Sequence, residues 1–73
     1  MTIDGLSIRA ARSLARLNQT ELARRARVST AAISRFERSG PVRGNYATIS
    51  RVIEALESAG IEITDHGVYR GAR

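Results

Sequence analysis

Apolar positions recur at helical spacing through most of the chain. Ile8 and Ala11, continued by Ala15 with Leu14 as a further candidate, predict a first helix. It starts from a cap at Thr2 or Asp4 and runs to about Arg16. A new start signal follows at once. In Asn18-Gln19-Thr20-Glu21 a side-chain acceptor stands three residues before an acid, the capping-box pattern. It opens a short helix from Gln19 to about Ala26, with Leu22 and Ala23 inward. Ser29 is a good cap for a third helix, Thr30 to Glu37, with Ile33 and Phe36 inward. Asn45 caps a fourth, in which Ile49, Val52, Ile53 and Leu56 fall at i, i+3, i+4 and i+7. Gly60 ends that helix. From there the period drops to two: Ile61-Glu62-Ile63-Thr64 alternates, Asp65-His66-Gly67 signals a turn, and Val68-Tyr69 is β-prone. The tail therefore reads as a short β-strand or small hairpin. An isolated hairpin is marginal in water, so it needs a partner on its own domain or on a second chain. The predicted fold class is all-α, a compact bundle of four to five helices with this C-terminal strand or hairpin appended.

Composition narrows the function classes. At 73 residues the chain makes one small domain. Such a domain buries only about 60% of its unfolded surface, which argues against a deep, lidded active site. With 42% apolar and 26% charged residues it is too apolar for disorder. It has no cysteine and one histidine, His66, which excludes disulfides, thiolate metal sites and any site needing two histidines. No Ser/His/Asp set stands out, and Gly40 to Gly44 lacks the Lys-Ser/Thr of a phosphate-binding loop. The expectation is a non-enzyme with no catalytic residues, no metal and no cofactor. No apolar run approaches the length of a membrane span, and Met1-Thr2-Ile3-Asp4 does not open a signal peptide. A cytoplasmic, nucleoid-associated location without membrane contact is expected.

Charge changes the picture most. All twelve basic residues are arginines, and the net charge is +5. Residues 9–43 hold nine arginines against Glu21 and Glu37, a balance of +7, and the rest balances at −2. A basic block inside a folded domain is the footprint of a polyanion site. An arginine-rich solvated face gives the same pattern, so charge alone leaves both readings open. Arginine's planar fork does suit phosphate and guanine.

The second and third helices are joined through Arg27, Val28 and Ser29, the spacing of a helix-turn-helix unit. Ala23 is small enough for a close crossing, and Val28 plugs the turn. With Ile33 and Phe36 inward, the opposite face carries Thr30, Ala31, Ser34 and Arg35. Small residues at that helix start allow a close approach to a major groove, and Arg35, one turn further, is expected within reach of a guanine edge. Leu17-Asn18-Gln19-Thr20-Glu21-Leu22-Ala23, followed by Val28-Ser29 and Ile33-Ser34-Arg35-Phe36-Glu37-Arg38, resembles the phage repressor/Cro-type (XRE-like) helix-turn-helix family over roughly residues 6–58. The resemblance implies a lambda-repressor-like bundle that binds operator DNA as a homodimer. It makes residues 1–60 the DNA-binding domain and residues 61–73 a tail with a dimerisation role.

Roles follow from the same resemblance. It places Asn18, Gln19 and Ser29 at phosphates, near helix N-termini, and Thr30, Ala31, Ala32 and Arg35 at bases, where Ser34 joins them by its place on the same helix face. It sets Arg38, Arg43, Asn45 and Tyr46 along the DNA backbone. Arg12 and Glu37 match a structural salt bridge between the first and third helices. Ile61, Ile63, Val68 and Tyr69 stand as dimerisation candidates. The chain departs from the family pattern at two places. Ser39 with Gly40 replaces an earlier glycine after Glu37, and Arg27 stands where the turn commonly has glycine. Ala31 and Ala32 leave few polar readers, so specificity leans on Arg35, on thymine-methyl contacts and on DNA shape. The leading expectation is a sequence-specific transcriptional regulator, a homodimeric repressor or autoregulator on an inverted-repeat operator in double-stranded DNA. The alternative is a DNA-binding antitoxin or adaptor that also holds a protein partner.

Overall fold

The computed structural model describes residues 3–64 and 66–71. Four helices come first: α1 (Gly5–Leu14), α2 (Gln19–Ala26), α3 (Thr30–Phe36) and α4 (Tyr46–Ser58). Two strands follow, β1 (Ile61–Thr64) and β2 (Gly67–Arg70), paired antiparallel with Ile61 opposite Arg70 and Ile63 opposite Val68.

Each helix begins at a side-chain cap. Asp4 accepts from the Leu6 N–H, Ser29 from Ala32, and Asn45 from Ala47 and Thr48. Asn18 and Glu21 form the full reciprocal capping box on α2. Such caps satisfy N–H groups that have no partner within the helix. Asp4 thus holds the first cap; the alternative, Thr2, lies outside the described residues, as do Asp65 of the hairpin turn and Ala72 and Arg73 of the tail. The first helix stops at Leu14, two residues short of the predicted Arg16. Arg16 turns left-handed at φ 59, and that turn brings Leu17 into the core. Arg27 is also left-handed, at φ 59 and ψ 45, and ends α2 where a glycine is the usual residue.

The core is one cluster in which Ile8, Leu22, Ile33, Val52, Leu56 and Ile61 are fully buried. Gly5 lets α1 start directly against the α3 exit, because a methyl there would overlap the Phe36 and Arg38 carbonyl oxygens. The segment before α1 is laced to the loop after α3. Gly5 N–H donates to the Gly40 oxygen at 2.9 Å, and Val42 N–H to the Ile3 oxygen at 2.8 Å.

The hairpin overturns the all-α class. The chain is a small α/β domain of four helices with a two-stranded antiparallel sheet. That sheet packs on α1 and α4, and Ile61 is 1% exposed in the common core. The β1–β2 pair finds its partner surface within its own chain. Ile61 is therefore a core residue and not a dimer contact. Ile63 and Val68 are half-buried against the same core, and of the four dimerisation candidates only Tyr69 is largely exposed. Arg70 completes the attachment by donating from Nη2 to the Leu14 oxygen, 2.8 Å away, at the C-terminal end of α1. No helix of the described residues is long and apolar enough to cross a membrane.

Candidate nucleic-acid interface

The turn Arg27–Ser29 sets α3 against α2. Val28 N–H donates to the Ala23 oxygen at 3.0 Å, and Val28 packs on the core. Helix α3 then buries Ala32, Ile33 and Phe36, and exposes Thr30, Ala31, Ser34 and Arg35. Four of the five expected base-reading residues thus share one free face. Ala32 does not. It is 5% exposed, one turn before Phe36, on the inner face of the helix. That assignment is corrected: Ala32 packs α3 onto the core.

One polar cluster ties the helices behind this face. Glu37 is 7% exposed and accepts from three donors. Arg12 gives Nε to Oε2 at 2.6 Å and Nη2 to Oε1 at 3.0 Å. Gln19 gives Nε2 to Oε1 at 3.1 Å. The remaining Arg12 nitrogen, Nη1, donates to the Leu17 oxygen at 2.9 Å. Arg12 is therefore spent on structure. The Glu37 hydrogen bond, opposed by burial and aided by the opposite charge, pushes its guanidinium above the ordinary value. This Arg12–Glu37 pair is the one ion pair among the described residues, and it joins α1 and α3 as expected. Gln19 is drawn into the same cluster: one of its amide N–H groups is held on Glu37, and the second N–H is left over on a side chain that lines the cleft described next.

Beside the cluster lies an open polar cleft of about 290 Å³, lined by Arg9, Arg12, Gln19, Ser34 and Glu37. It joins α1, the start of α2 and the exposed face of α3. Arg9 was not singled out from the sequence. The signal was available, since Arg9 stands three residues before Arg12 on the same face of α1. Its guanidinium is exposed and makes no ion pair with the described acids.

The expected backbone-contacting residues fall into two sets. Asn18, Ser29 and Asn45 use their oxygens as helix caps, which leaves the two Asn amide groups and the Ser hydroxyl proton as donors on exposed side chains. Arg38 and Arg43 are exposed on the loop between α3 and α4. Tyr46 is 83% exposed, and its surroundings are different. It lines an apolar groove along α4 with Ile49 and Ile53, which shares no residue with the cleft. Among residues 9–43, eight of the nine arginines are exposed, and none of those eight is paired with a described acid. Comparison with protein-family models and with curated protein sequences found no match for this chain.

Proposed function

We propose that this chain is a sequence-specific double-stranded-DNA-binding regulator of transcription in the cytoplasm, acting as a homodimeric repressor or autoregulator. The observation that carries the reading is the exposed face of α3, Thr30, Ala31, Ser34 and Arg35, in a segment, residues 9–43, that holds seven further exposed arginines with no ion pair to a described acid. Phosphates neutralise such charges and release counterions, which gives affinity without sequence preference. Arg35 supplies the preference, by a bidentate contact to guanine, and the Thr30 and Ala31 methyl groups suit thymine. The Arg12–Glu37–Gln19 cluster fixes α3 relative to α1 and α2, so the reading face arrives pre-organised.

Size supports a second copy. The longest dimension of the chain is 30 Å. Half-sites in successive major grooves on one side of the duplex stand about 34 Å apart, so one copy presents one reading face to one half-site.

The test is selection of bound duplexes from a random library, followed by titration across a salt series. The wild-type chain is expected to enrich an inverted repeat and to show a steep salt dependence. Arg35→Ala should cost about 1–3 kcal/mol and relax the preference at one position of each half-site. Arg38→Ala should weaken all sequences alike and lower the salt slope by about one. A library that returns no enriched sequence, with Arg35→Ala binding as the wild type does, removes the reading.

A further inference from the structure

We propose that two copies of this chain pair through the groove along α4, with their α4 helices antiparallel across a two-fold axis. The inference rests on the reading above only for the need for a second copy. It names the surface that reading leaves open.

The groove has a volume of about 650 Å³. Ile3, Val42, Ile49 and Ile53 line it, all half-buried, with Tyr46 at one end of the helix stripe and Glu57 at the other. Residues 46, 49, 50, 53 and 57 recur at helical spacing, so they form a single stripe. The stripe is about 16 Å long from Tyr46 to Glu57. In its floor Val42 N–H donates to the Ile3 oxygen, which joins the two segments that carry these side chains. An open apolar groove rimmed by polar groups is the usual appearance of a protein-binding surface. Its acids, Glu54 and Glu57, repel a phosphate backbone, so the groove is not a second nucleic-acid site.

Charge along the stripe selects the occupant and its direction. The N-terminal end carries the spare donors of Asn45 and Tyr46 and the positive end of the helix dipole, and the exposed Arg43 precedes it on the adjoining loop, outside the groove lining. The C-terminal end carries Glu54, Glu57 and the negative end of the dipole. A parallel second copy would set acids against acids. An antiparallel copy sets each acidic end against the cationic end of the other, and stacks Ile49 of one copy on Ile53 of the other, twice. Ser50 lies near the centre of the stripe, where a small side chain allows the ~8–10 Å helix separation of ordinary packing. The stripe is thus self-complementary, as a two-fold interface must be.

Sedimentation equilibrium of the full chain without DNA tests the proposal. The expected result is a dimer, with at least a tenfold weaker association in Ile53→Asp and in Tyr46→Ala. Tyr46 is exposed, so its variant keeps the test valid if Ile53→Asp fails to fold by circular dichroism. The absence of native cysteine makes single-cysteine probes clean. Ser50→Cys should oxidise to a covalent dimer, and a mixture of Tyr46→Cys and Glu57→Cys should cross-link to each other but not to themselves. A wild-type chain that stays monomeric at every concentration, a dimer that survives both substitutions, or self-linked Tyr46→Cys overturns the proposal. The measurements contain no DNA, so their failure is distinct from failure of the DNA-binding reading.

Discussion

Arg27 holds a left-handed backbone, φ 59 and ψ 45, that costs an L-residue with a Cβ about 1 kcal/mol or more. Glycine adopts it freely. The Arg27 side chain is exposed, and the hydrogen bond from Arg51 reaches its backbone oxygen, so a glycine retains every contact that matters there. Arg27→Gly should therefore raise stability by about 0.5–1 kcal/mol, read as a rise of several degrees in thermal denaturation. This strain was legible in the sequence, because the family resemblance puts glycine at that point. The matching turn at Arg16 was not. Ala15 and Arg16 are both good helix residues, and only the burial of Leu17, held through the Arg12 hydrogen bond to its oxygen, shows why the helix stops early. Ala32 was misplaced for another reason. The resemblance alone put it at bases, whereas the inward Ile33 and Phe36 had already left Ala32 off the free face, and its burial follows that periodicity.

Among the elements, the hairpin contributes most beyond what its residues announce. A pair of four-residue strands has too short a pattern to reveal whether its apolar side covers its own domain or another chain. The helices were plain because about two to four turns repeat the pattern and a cap marks each start. The location of Ile61 gives a direct check. Ile61→Ala should cost about 2–4 kcal/mol in urea unfolding while leaving the association constant of the folded chain, read by sedimentation equilibrium, unchanged. A weakened association in the folded variant would return Ile61 to an interface. Removal of the hairpin after Gly60 should unfold the helical part rather than release a monomer, because Ile61 fills the space between α1 and α4.

At the scale of the molecule, the polar cluster and the charge division organise the two faces. Glu37 joins α1, α2 and α3 through a single buried carboxylate. Removing Arg12 alone strands that charge. Arg12→Met should destabilise by about 3 kcal/mol, and the double variant Arg12→Met/Glu37→Leu should recover much of the loss. A double-mutant cycle by chemical denaturation checks both figures. Because its pKa is raised in the folded chain, the stabilising share of the Arg12 guanidinium paired with the Glu37 carboxylate is fully present below the ordinary arginine value and is lost only in strong alkali, as pH rises through the folded value. The salt bridge was anticipated from the resemblance. The division of the surface was half legible. The excess of arginine over residues 9–43 is a count, whereas the acid-rimmed groove on the far stripe of α4 exists only once Ile3 and Val42 are folded against Ile49 and Ile53.

The bond from Arg70 back to Leu14 also sets a clock. A ribosome adds roughly 5–20 residues per second, so the 56 residues separating these partners take about 3–11 s to make. Throughout that interval the nascent α1 lacks both the carbonyl cap and the apolar cover supplied by the hairpin. The domain closes late, from its C-terminal side, and a growing chain waiting for residue 61 is an open substrate for chaperones and proteases.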